Sequence, residues 1–294
     1  TLTKQKELVP EQLKFVWDMM KLNHKLTENS LTLAVRDVYM GLMATESDIK
    51  VKTDKLDIAS KNFEQTAKML ELGNITQLEY EETEYELDKA NKELKAAQRS
   101  KENLMRQLNM IMGTAEDIKI EHFEKEELKE ADLEFVESYI EKALNNRIEV
   151  IQKENEIDLK EKELEILEIN RAHKELYDLK SEHSRIEREI EKLNVELESL
   201  KYDIENNIKN AYIDIKKQKD SIEVMNNTLE VQQIQLKKYK EQYNQGLIPQ
   251  IVVEQFEAAI NELQNNIDLM IFNYNTKLMK LEYAVDIGPA YQGG

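Results

Sequence analysis

Between Thr114 and Asp286 the chain contains one glycine and one proline, Gly246 and Pro249, three residues apart. A stretch so clear of helix breakers can be continuous helix almost anywhere. The one place where both breakers meet must therefore be a turn. With 34% charged residues, 6% aromatics, 7 Gly and 3 Pro in 294 residues, the chain has the make-up of long solvated helices rather than of a thick globular core.

The apolar residues bear this out. From Pro10, well placed in a first helical turn, they recur at three, four or sums of these: Leu13, Val16, Trp17, Met20, Leu31, Val35, Val38, Leu42, Ile49, Leu56, Ala59, Phe63, Ala67 and Leu70. That is a one-sided helical stripe. "NHKLTENS" (23–30) weakens it and leaves room for a break. The stripe stops at Gly73 and resumes at Leu78, Leu87, Ala90, Leu94, Ala97, Leu104, Leu108 and Ile111, to end at Gly113. Glycine after a periodic run is C-terminal punctuation. Thr76 with Glu79 makes a capping box for the returning helix. Residues 1–113 thus read as a first helical hairpin with its tip at 73–76, its arm from Leu31 to Leu72 being ~63 Å long.

Residues 114–145 differ. "DIKIEHF" alternates like a short extended piece, and "EADLEFVESYIEKAL" reads as a short amphipathic helix. A heptad register holds from Ile169 to Ala211, broken at His183. Two chain paths fit the region after Asn146: one helix from 146 to 244, or a helix over 146–183 that turns back at 181–184.

Sliding the chain on itself by 173 positions places Gly73 on Gly246 and "GNITQLEYEETE" on "GLIPQIVVEQFE". Gln77 meets Gln250, Glu81 meets Glu254 and Tyr39 meets Tyr212, without a gap until near the end. This reads as an internal duplication. It makes 246–249 the tip of a second hairpin spanning 184–294. It also pairs Pro10 with His183, which favours the reversal at 181–184.

The formal net charge of −18 argues against nucleic acid, whose phosphates need a basic footprint, and against anionic lipid heads. No Cys occurs, which removes disulfides, a zinc ribbon, thiol chemistry and a lipid-bearing cysteine. No apolar run reaches the ~18–20 residues of a membrane helix. "TLTKQKELVPEQL" is no signal peptide and reads as the start of a mature or trimmed chain. The histidines (His24, His122, His173, His183) make no metal set, and no Ser/His/Asp set or phosphate loop is present. The expectation is no enzyme, no cofactor and no metal.

The tip motif, with Tyr243 three residues before Gly246, Glu254 beyond and Gly288 closing the returning helix, resembles the repeat of the TolC-like outer-membrane efflux proteins. The first copy offers Gly73, Thr76, Glu81 and Gly113, and "ALNNR" (143–147) is similar to the segment opening that family's second half. The resemblance covers nearly the whole chain. It implies an all-α protomer of two tandem long antiparallel hairpins with 114–145 as the equatorial region, three protomers closing a helical duct. It further implies tips that meet a periplasmic adaptor (membrane fusion) protein and, through it, an inner-membrane or ABC-type pump, in efflux or type I secretion. The implied adaptor contacts are Gly73, Asn74, Ile75, Thr76, Gly246, Leu247, Ile248 and Pro249, and Tyr243 matches the constriction tyrosine. The implied location is the periplasm and outer membrane. One departure stands out: the family's second β-hairpin would lie near 170–190, where this sequence has no alternating strand, so direct membrane insertion is not expected of this chain. The rival readings are a coiled-coil scaffold of the cell envelope and an adaptor-type hairpin protein. The scaffold does not explain two matched tips, and the adaptor lacks its flanking β segments.

Overall fold

The computed structural model of the chain describes residues 4–114, 120, 123–131, 133, 135–169, 174 and 177–288. The fold is all-α. A π-helical turn, Lys4–Leu8, leads into α1 (Val9–Glu71), followed by α2 (Gln77–Met112), α3 (Val136–Asn146), α4 (Ile148–Glu168), α5 (Tyr177–Asn244) and α6 (Gln250–Val285). No strand occurs among the described residues. "DIKIEHF" falls mostly outside them. His122 and His173 lie outside them as well.

No break falls at 23–30: α1 continues through the segment. Its polar residues are used without leaving the helix. Thr27, Ser30 and Thr32 donate their hydroxyls to the carbonyls of Asn23, Leu26 and Glu28, one turn back, at 2.8–2.9 Å. Such back-bonding satisfies the hydroxyl while keeping the backbone helical. Asn29, 8% exposed, donates from Nδ2 to the Gly288 carbonyl at 2.7 Å.

The chain forms two compact units. The first comprises Thr1–Leu33, Glu130–Lys217 and Thr276–Gly294. Here α4 lies antiparallel on α5. Lys153 pairs with Glu196 at 2.9 Å, Lys160 with Glu189 at 2.7 Å, and His183 Nε2 meets Glu168 at 2.8 Å. The reversal therefore falls between Glu168 and Tyr177, and 181–184 lies inside α5. The boundary at 183/184 read from the sequence is corrected accordingly. His183 looked like a turn because it interrupts an apolar register. It is held in the second turn of α5, where two carboxylates, Glu168 and Glu187 (3.2 Å), clasp its ring. The Glu168 bond, above all, raises its pKa.

The second unit comprises Ala34–Lys129 and Gln218–Asn275. Its helices lie side by side in the order α2, α1, α6, α5. Phe63 of α1 packs on Tyr80 of α2 (5.2 Å between centroids), and Lys101 pairs with Glu46. Phe272 of α6 meets Tyr39 of α1 at 5.6 Å. Tyr239 of α5 packs edge-on against Phe256 of α6 at 4.9 Å, and Lys240 pairs with Glu257 at 2.6 Å. Leu229, Ile260 and Ile267 form the buried centre of the second hairpin, with Met225, Leu236, Phe256, Leu263 and Ile271 around it. Burying such side chains contributes roughly 1.5–3 kcal/mol each, and a row of helices needs that at every seam.

Candidate functional site

Both tips belong to the second unit. At the first, Gly73 has φ 74°. Its N–H donates to Leu70 O at 2.9 Å, and Asn74 N–H donates to Met69 O at 2.9 Å. At the second, Gly246 has φ 74°. Its N–H donates to Tyr243 O at 2.8 Å, and Leu247 N–H donates to Gln242 O at 2.9 Å. This is the same left-handed helix ending twice, every partner displaced by 173 residues. Only glycine takes that φ without penalty. A Cβ added at either position would meet no atom within 4 Å, so the requirement is conformational and not one of space.

The starts of the returning helices differ. Thr76 accepts from Glu79 N–H at 3.3 Å, and Glu79 Oε2 accepts from Thr76 N–H at 2.7 Å. This is a complete capping box. The Thr76 backbone N–H, with its hydroxyl second, holds the Glu79 carboxyl below its ordinary pKa. At the second tip Pro249 precedes Gln250, the first residue of α6. Tyr243 Oη donates across the turn to Gln250 Oε1 at 3.2 Å. One pair repeats: Gln77 Nε2 donates to Glu81 at 3.1 Å, and Gln250 Nε2 donates to Glu254 at 2.7 Å.

The two hairpins run alongside each other towards their tips. Lys61 of α1, held charged chiefly by its bond to Asp57, also feels the Glu254 carboxylate of α6. Large apolar side chains stand exposed among polar ones at the tips: Leu72 is 74% exposed, Leu247 67% and Tyr243 41%, with Asn74, Thr76 and Pro249 exposed beside half-buried Ile75 and Ile248.

A second polar feature of this unit was not found from the sequence. Residues 123–131 have no regular secondary structure and are strapped across α1 and α6. Arg36 holds Glu126 through both carboxylate oxygens, at 2.8 and 3.1 Å, and stacks over Phe272 at 4.4 Å. Asn275, 1% exposed, donates to Glu126 Oε2 (2.8 Å) and Glu127 O (2.9 Å) and accepts from Lys129 N–H (3.1 Å). Lys125 pairs with Asp268 at 2.6 Å. Asn275 stands in "IFNYNTKL" beside Asn273 and Thr276, and nothing in the sequence sets it apart. Among the described residues no group of three or more metal-ligating side chains gathers, and no helix is long and apolar enough to cross a membrane.

Family models find no match in the sequence, and no curated protein matches it by sequence. Solved structures do match. The CusC structure that describes transmembrane channel formation superposes with a TM-score of 0.70 at 10% identity, over 97% of this chain and 75% of that one. The CmeC outer membrane channel of Campylobacter jejuni gives 0.71 at 10%, over 96% and 68%. The outer membrane protein VceC of Vibrio cholerae gives 0.64 at 12%, over 96% and 74%. The chain has the fold of TolC-family outer-membrane channels.

Proposed function

We propose that this chain is a protomer of a TolC-like helical exit duct of the cell envelope, docking by its two tips on the helical hairpins of an adaptor protein of a tripartite pump. The duct moves substrates in efflux or secretion and does no chemistry on them. The observation that carries the reading is the pair of tips. Two turns of the same hydrogen bonding, on adjacent hairpins of one unit, present leucines to solvent where a monomer gains nothing from exposing them. The fold of outer-membrane channels supports the same reading. In it, Gly73, Asn74, Ile75, Thr76, Gly246, Leu247, Ile248 and Pro249 touch the adaptor and Tyr243 lines the constriction. Copies of the chain close the wall, three by resemblance. Membrane insertion by this chain forms no part of the proposal.

The test is capture of the chain by its cognate adaptor. Replacing both Gly73 and Gly246 with Val strains the tips and should abolish capture while far-UV circular dichroism stays unchanged. Undiminished capture by the doubly substituted chain would sink the tip assignment.

A further inference from the structure

Between α1 and α6, under the strap, the second unit holds a cleft of about 320 Å³. That is the small end of the range for ligand sites, roughly 300–1,000 Å³. Its lining is of two kinds. Met43 of α1, Leu269 of α6 and Phe123 of the strap supply apolar surface. Phe123 rests edge-on against Tyr39, 5.3 Å between centroids. Charged, hydroxyl and amide side chains supply the rest, and they do not balance one another.

Both acids of the lining are already answered. Glu46 pairs with Lys101 of α2. Asp268 pairs with Lys125 of the strap at 2.6 Å and accepts from Gln264 Nε2 at 3.2 Å. Lys50 is the charge left over. Glu46 stands one turn before it, where an ion-pair partner on a helix belongs, but Lys101 holds that carboxylate. Lys50 forms no ion pair with a described residue. Ser47, on the same face of α1, and Asn265, on α6, also line the cleft. Their side chains form no hydrogen bond with a described residue either. One ammonium, one hydroxyl and one amide therefore share a cleft with their donors unused. A single positive charge and two neutral donors suit a carboxylate, and the apolar surface beside them suits a hydrocarbon body. A cationic ligand finds no free acid here. A phosphate would bring nearly two negative charges to one lysine.

We infer that this cleft binds a small organic monocarboxylate with an apolar or aromatic body. The carboxylate accepts from Lys50, Ser47 and Asn265, and the body lies against Met43, Leu269 and Phe123. Such a ligand touches α1, α6 and the strap at once, so its binding ties the strap to both helices beside the Arg36–Glu126 clamp. The site lies apart from the tips and does not rest on the duct reading. Adaptor capture tests that reading, and ligand binding tests this one.

Phenylacetate is the probe, with phenylacetamide as its uncharged counterpart and acetate as its counterpart without a ring. Calorimetry reads binding, and amide exchange over 123–131 reads the strap. Phenylacetate should bind and slow that exchange. Phenylacetamide and acetate should each bind at least tenfold more weakly. Lys50→Met should weaken phenylacetate binding by tenfold or more, as loss of a hydrogen bond between charged groups does, and Lys50→Arg should retain most of it. Lys50 is exposed, so circular dichroism should show both variants folded. Asn265→Leu should weaken binding as a second, independent check. Equal binding of phenylacetamide overturns the carboxylate, and equal binding of acetate overturns the apolar body. Binding that neither Lys50→Met nor Asn265→Leu alters overturns the site. No binding of phenylacetate at millimolar concentration overturns the whole proposal and leaves the duct untouched.

Discussion

The two tips share one backbone ending and differ in how the next helix begins. The first is fastened by a carboxylate: Glu79 and Thr76 close each other's orphan backbone groups. The second is fastened by a ring: Pro249 presets the backbone just ahead of α6, and the Tyr243 hydroxyl reaches Gln250 across the turn. The shared part is what the geometry of a tight hairpin demands. The differing part is open to choice, and it places a capping carboxylate in the first turn of α2 that the first turn of α6 lacks.

The largest effect should come from the shared part. A β-branched residue at Gly73 or Gly246 must adopt φ near 74°, which costs about 1–2 kcal/mol in the left-handed region. The loss should be equal at both tips by chemical denaturation, because an added Cβ meets no atom within 4 Å at either site. Unequal losses would break the equivalence of the two turns. Next in size, Thr76→Ala should cost about 1 kcal/mol, whereas Pro249→Ala should cost ~0.4–1 kcal/mol through the freedom returned to the unfolded chain. Amide exchange at the start of α2 should accelerate in the first variant and leave the start of α6 unchanged.

Acid should separate the tips further. The folded pKa of Glu79 is depressed, so its contribution is present above its unfolded pKa and fades as pH falls through the folded value. Protection factors at the start of α2 should drop over that range while those at the start of α6 hold. A parallel drop at both would show that the capping carboxylate is not what distinguishes them. The smallest change belongs to Tyr243→Phe. The bond it removes is exposed, and the stability loss should stay below about 0.5 kcal/mol.

Much of this was legible in the sequence, because the stripe of Leu42, Ile49 and Leu56, the glycines and the Thr76–Glu79 pair are local signals, written within a turn or two of where they act. What was not legible depends on partners far along the chain. Periodicity alone cannot show that Lys153 and Lys160 of α4 reach Glu196 and Glu189, and those pairs put the reversal before Tyr177 instead of at 181–184. His183 and the polar run at 23–30 looked like interruptions because their side-chain partners are invisible to a pattern search. The strap was missed for the same reason: Arg36, Glu126 and Asn275 lie about ninety to two hundred and forty residues apart and meet only in the folded unit.

The row of four helices has a consequence for how the molecule holds itself together. In the duct reading, Leu78, Tyr85, Val224 and Val231, exposed in the single chain, would leave water when another copy packs on them, and part of the free energy that a globular chain gains by folding would be gained by meeting a neighbour. By mass action the midpoint of thermal unfolding should climb with protein concentration. At high dilution the protein would be a looser object than the same chain in a crowded wall, its rigidity set by how many of it there are.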